Sequence, residues 1–302
     1  MQRLTRLQLT TLILLTLVWG LNWPVMKLGV TGFPPLTFRA MSILLGVPVL
    51  AVALLVMKVP FRIPRRLWPE LSKLTLTNML VWHVCIILAV TQLSSGRTAI
   101  LGYTMPIFSA VIGALVFVTA LSRRGWLGVA AAAIGVGLLL WHELTGLAGR
   151  PGAVALALVA AAVWALGTQL LRRTRAELPT LTLSFWMTVI TGVVLALLAV
   201  VFERDRWHVP SAAVSWAIAY NAVMIFGYAH AAWFFLARTL PPVASTLSVM
   251  FIPVLGVFSG ALWLGEILHW QDWAAVVLMV VAIGSVLWPA WAVRPARPVQ
   301  AG

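Results

Sequence analysis

Two histidines, His83 and His230, lie well inside apolar runs of this 302-residue chain, 147 positions apart. A polar side chain in such surroundings costs a few kcal/mol unless it meets a partner or a wet cavity. Ligand contact or proton relay is therefore expected of His83 ahead of a hydrogen bond between helices, while for His230, the second candidate, the hydrogen bond comes first. Trp19, Gly20, Asn22 and Pro24 fall within one and a half helical turns. Proline removes a backbone donor and frees the carbonyl near Gly20, while the Asn22 amide adds donors and acceptors, so the segment makes a polar notch. A zwitterionic solute needs acceptors for its ammonium, donors for its carboxylate and aromatic walls for its side chain. Trp19, Asn22, His83, Tyr103, Trp164, Trp186 and His230 are the candidates to supply these. Tyr103 stands three residues before Pro106, one turn above the kink expected there. Lys27 and Arg39 lie in the outer part of their runs, where snorkelling to headgroups is expected and attraction of a carboxylate at an exit is the alternative. The chain contains no H-E-x-x-H, no G-x-S-x-G and no pair of aspartates inside a run, so neither a nucleophile nor a metal constellation assembles. No catalytic residue, metal or cofactor is expected.

These residues must be positioned by elements of unusual composition. Apolar residues make up 62% of the chain and charged ones 9%, against about 45–50% and about 25% in soluble domains. A soluble globular enzyme is excluded. Apolar runs separated by Pro, Gly or charge fall at about 8–29, 35–57, 71–93, 97–120, 125–142, 151–171, 179–202, 212–236, 242–264 and 270–292, each near the length that crosses a hydrocarbon core. Arg3 and Arg6 ahead of the first run resemble a signal-peptide n-region, but no A-x-A site follows, and a retained first helix is expected. With the N-terminus inside, fifteen of the 21 Lys and Arg reach the cytoplasmic side and four (Arg97, Arg150, Arg204, Arg206) the outside. That bias sets the orientation, with both termini cytoplasmic, and accounts for the net charge of +14 through the anionic inner leaflet, without nucleic acid. The lone Cys85 supports no disulfide framework.

Sliding the chain by 147 positions aligns MPIFSAVIGAL with IPVLGVFSGAL, and ten pairs are identical over the 36 positions from Pro106 to Trp141. The same offset pairs His83 with His230 and Pro106 with Pro253; an offset of 145 pairs Trp19 with Trp164. Five helices in each copy, an odd number, make the second copy enter from the opposite side, and the loop charges invert accordingly. The expected architecture is an all-α integral membrane protein of ten transmembrane helices in two inverted five-helix halves, residues 1–146 and 147–302. Pro106 and Pro253 are the expected hinges, each freeing one carbonyl near the middle of its run.

VWGLNWPVMKLGV, FPPLTFRAMSILL and AWFFLARTLPPVASTLSVMFIPVLGVFSGALWLGE resemble successive signatures of the EamA family in the drug/metabolite transporter superfamily. Within it the chain is most similar to the YddG-type exporters of aromatic and other amino acids. The resemblance implies a bacterial inner-membrane transporter with its substrate cavity between the halves. It implies export of small amphipathic metabolites, amino acids including aromatic ones, by alternating access; cationic drugs are the alternative cargo and an intramembrane enzyme the disfavoured one. Its partners would be the small-molecule substrate and the bilayer, in a monomer. The glutamate that the family carries near the end of each half's fourth helix stands here as Glu266, with Thr119 at the equivalent place in the first half.

Overall fold

A computed structural model describes residues 5–117, 123–145, 150–174, 177–239 and 252–287, and every regular element among them is helical. The first helix, α1 (Arg6–Val30), opens on a reciprocal capping box in which Thr5 and Gln8 satisfy each other's backbone amides. It ends in a turn through Gly32 at φ +76°, a conformation that costs glycine little, and Pro34 and Pro35 then start α2 (Pro35–Val56) with φ already helical. The third helix, α3, spans 65–92 and contains a π-helical stretch at Leu76–Leu80. The fourth span is broken: α4 (Ser95–Gly102) and α5 (Met105–Leu115) meet at Tyr103 and Thr104. There follow α6 (Arg123–Thr145), α7 (Pro151–Arg173) and α8 (Thr180–Glu203). Helix α9 runs over 212–239 with a π-helical stretch at Asn221–Ala229, followed by α10 (Ile252–Leu264) and α11 (Trp270–Leu287).

Seven helical segments are long and apolar enough to cross a membrane, and three shorter apolar helices lie at Gly125–Leu138, Ile252–Leu264 and Trp270–Ala282. Residues such as Leu55, Val56, Leu197, Val201, Phe202, Leu262 and Val277 stand exposed on the outer faces of the bundle. So much apolar surface is stable only against lipid. The expected ninth run begins, and the tenth ends, outside the described residues, as do Thr119 and the basic residues beyond 287.

Helices of the two expected halves interleave. Helix α1 packs on α9 and α10, and α7 packs on α3 and on α4 with α5; α2 packs on α8 and α9, while α8 also reaches α3. The α6 and α11 helices pack chiefly on each other. The contacts of α1 with α9 and α10 are matched by those of α7 with α3 and with α4 and α5, and the contact of α2 with α9 by that of α8 with α3.

Two glycines let helices cross closely at the π stretches. A Cβ on Gly46 of α2 would lie 2.8 Å from the Ala222 carbonyl oxygen in α9, and one on Gly167 of α7 would lie 2.8 Å from the Thr77 carbonyl carbon in α3. Side chains mend the widened ladders: Asn78 Nδ2 donates to the Leu74 carbonyl at 3.1 Å and Asn221 Nδ2 to the Ala217 carbonyl at 3.0 Å, both from i to i−4. A buried carbonyl that lost its partner would otherwise cost about 1–3 kcal/mol. Each π stretch lies within one turn of a histidine, His83 or His230.

Candidate functional site

The spacing of residues 19, 22, 23 and 26 puts Trp19, Asn22, Trp23 and Met26 on one face of α1. That face meets Trp82, His83 and Ile86 of α3, Tyr103 and Met105 at the α4–α5 break, Trp164 of α7, Ile225 and His230 of α9, and Arg39 of α2. Together they enclose a cavity of about 40 Å³. This is room for one compact group.

Aromatic rings make most of the wall. Trp19 sits at its centre, with ring centroids 6.4 Å from Trp164, 5.9 Å from His230 and 5.6 Å from Trp233. Trp82 and Trp164 are 5.0 Å apart, and Trp23 meets Tyr103 edge-on at 6.2 Å. The two histidines approach to 5.1 Å, and His230 lies flat on Phe226 at 5.2 Å. Edge-on and offset contacts of this kind hold rings in fixed orientations.

The polar atoms on this wall are mostly unpartnered. Among the described residues His83, 2% exposed, finds no hydrogen-bond partner at either nitrogen, and Asn22 Oδ1, Trp164 Nε1 and Arg39 Nε are likewise buried and unpaired. His230 differs, because its Nδ1 lies 2.9 Å from the Ile225 carbonyl that the π stretch exposes. Arg39, 1% exposed, bonds the Asn221 amide oxygen at 3.2 Å through Nη1, places Nη2 against Met26 Sδ, and carries the Phe226 ring 5.6 Å from its Cζ. Among the described residues that line the cavity there is no carboxylate. Buried polar groups are satisfied as a rule, so a cluster of exceptions facing one small space marks a place where another molecule would supply the partners.

The end of the bundle where α1 gives way to α2 is tied by charged groups at helix termini. Lys27 Nζ donates to the carbonyls of Val90 at 2.9 Å and Leu93 at 2.8 Å, closing the C-terminus of α3. Glu203 accepts from the amides of Leu36 and Thr37 at the start of α2, and Glu266 from those of Ser95 and Gly96 at the start of α4. Arg97 pairs with Asp272 at 2.9 Å. Carboxylates at helix N-termini and an ammonium at a C-terminus each complement the helix dipole.

Trp19, Asn22, His83, Tyr103, Trp164 and His230 are thus brought to one cavity from five helical segments. Trp186 is a correction. Its indole donates to the Phe61 carbonyl at 2.6 Å and packs on Trp68 and Phe185, and it does not line the cavity, because it stands on the face of its helix opposite the buried hydroxyl stripe of Ser184, Thr188 and Thr191. Arg39 is a second correction: it does not snorkel to an exit but lies on the cavity wall. Lys27, expected at headgroups, instead closes α3. Pro106 occupies the first turn of α5, just after the break, and Pro253 the second described residue of α10. Sequence reasoning missed Trp23, Met26, Trp82, Ile86, Met105 and Ile225 as wall residues. Trp23 was within reach, since it stands four residues after Trp19, and Trp82 adjoins His83.

Comparison with known proteins gives a consistent result. The profile of the EamA-like transporter family matches twice, over residues 7–141 and 151–288. The chain is 24% identical to the uncharacterized transporter YoaV of Bacillus subtilis, covering 84% of this chain and 88% of that protein. It is 26% identical to the uncharacterized inner membrane transporter YedA of Escherichia coli K12, covering 95% and 92%. It is 25% identical to a probable amino-acid metabolite efflux pump of Salmonella typhimurium, covering 90% and 91%. One solved crystal structure superimposes with a TM-score of 0.68 over 91% of this chain and 96% of the other at 19% identity, a likeness of fold.

Proposed function

This chain belongs to the EamA-like transporter family, and from that membership and its central cavity we propose that it exports small amphipathic metabolites, amino acids including aromatic ones, across an inner membrane. The observation that carries the reading is the convergence of unpartnered Asn22, His83, Arg39 and Trp164 atoms on an aromatic cavity formed between helices of both halves. An ammonium would meet Asn22 Oδ1 and the tryptophan faces, and an apolar side chain the rings of Trp19, Trp82 and Trp164. The Salmonella relative's name agrees with this cargo.

Ten spans in two inverted halves complete the proposal, with both termini cytoplasmic and alternating access as the mechanism. The family profile falling once on each half and the matched helix contacts support it. A cavity of about 40 Å³ takes only part of an amino acid, and in this reading separation of the halves makes room for the rest. Cationic drugs are the second reading, and the uncompensated guanidinium of Arg39 counts against them.

Efflux of radiolabelled amino acids from proteoliposomes tests the function. Wild-type protein should carry at least one aromatic amino acid, and Trp19→Ala and Trp164→Ala should each slow it about tenfold while eluting as folded monodisperse protein. Unchanged flux in both variants would place transport elsewhere.

A further inference from the structure

Among the described residues, Arg39 is the only lysine or arginine that lines the central cavity, and its surroundings do not neutralise it. A guanidinium carries five N–H donors in a planar fork. One reaches Asn221 Oδ1, Nε has no acceptor, and Nη2 lies against a thioether. The rings of Phe226 and Phe38, 5.6 and 5.9 Å from Cζ, hold the plane and offset part of the charge. A fully buried cation without a carboxylate is costly and points to an anionic partner.

The halves are unequal here. At the offset that pairs Trp19 with Trp164 and Pro34 with Pro179, the counterpart of Arg39 is Ser184, buried and with an unpartnered hydroxyl. Asn221, which positions the guanidinium, is matched not at that offset but by Asn78 in the other π stretch, 143 residues earlier, whose Oδ1 is buried and unbonded. Among the described residues, the cavity wall thus carries one guanidinium, and neither Ser184 nor Asn78 lines it.

Resting on the transport function proposed above, we propose that Arg39 is the anchor for a carboxylate of the cargo, so that the transported class is carboxylic acids with an apolar side chain, held in a single orientation. The planar fork matches two carboxylate oxygens, the cavity has the volume of such a head group, and Trp164 Nε1 is a second donor without an acceptor. A phosphate dianion would call for a second permanent cation, which the described residues of the wall do not supply.

The test compares acids with their neutral amides. Thermal unfolding of the purified protein is followed with L-phenylalanine, L-phenylalaninamide, 3-phenylpropionate, the phosphonate analogue of phenylalanine, and the leucine acid and amide pair. The acids should raise the midpoint and compete for uptake at concentrations at least tenfold below their amides. In Arg39→Gln that ratio should fall to within about twofold, and Arg39→Lys should recover part of it. Equal binding of acid and amide by the wild type, which requires no variant to fold, overturns the proposal, as does a preference for the phosphonate. Absence of flux with acid-selective stabilisation would refute the transport reading and leave the Arg39 assignment standing. Flux of acid and amide alike would do the reverse.

Discussion

At the scale of single residues, His83 and His230 look equivalent in sequence and are unlike in structure. His230 has a carbonyl partner and a stacked ring, whereas His83 finds no hydrogen-bond partner at either nitrogen among the described residues. Leaving a buried polar group unpaired costs about 1–3 kcal/mol. His83→Leu should therefore raise the thermal midpoint of unliganded protein while slowing substrate efflux, and His230→Leu should give no such gain. A destabilised His83→Leu protein with normal efflux would mark His83 as a packing residue. Much of this wall was legible: Trp19, Asn22 and Trp164 stood out because glycine, proline and a repeat offset flagged their segments. Arg39 was not, since depth read along a sequence counts residues from the run's end. That count cannot register the layer formed above it by Lys27, Glu203 and Glu266. Trp186 failed for a different reason: its helix turns the stripe of Ser184, Thr188 and Thr191 inward, and Trp186 stands on the opposite face.

At the scale of elements, the irregular stretches carry the site. The π stretches widen α3 and α9 next to the histidines, and the break at Tyr103 and Thr104 turns the tyrosine onto the cavity. Proline signalled the break because Pro106 cannot donate to the carbonyl four residues earlier. The π stretches gave no such sign; they follow from which carbonyl each amide chooses, which hydrophobic period does not encode. One trace exists in retrospect: Asn78 and Asn221 are 143 residues apart and the histidines 147, so the two helices differ in length between asparagine and histidine. Proline replacement tests whether the break moves. Pro106→Ala should let α4 and α5 run together, and with Pro253→Ala it should slow exchange about fivefold or more while affinity stays within a few fold. Wild-type turnover in the double variant would assign the prolines a shaping role only.

For the whole molecule, composition and charge already pointed to a membrane-embedded chain, and the family profile matches it twice, over residues 7–141 and 151–288. Which helices of one half touch which of the other was not readable, because apolar faces in lipid carry little directional pattern. Cysteine labelling tests the topology: Thr31→Cys and Asp205→Cys should react with a membrane-impermeant maleimide from outside intact cells, and Arg65→Cys only after permeabilisation. Reaction of all three from one side would refute the inverted arrangement. The interleaving of α1 with α10 also governs biogenesis. Gly20 of α1 lies against Leu255, so the first helix acquires this neighbour only after more than 200 further residues are made. At about 5–20 residues per second, α1 waits on the order of 10–50 s in the bilayer with that face unpartnered. During that interval the half-made chain depends on lipid or an insertion chaperone to cover it, and a ribosome stalled before α10 should leave a nascent protein that is marked for degradation.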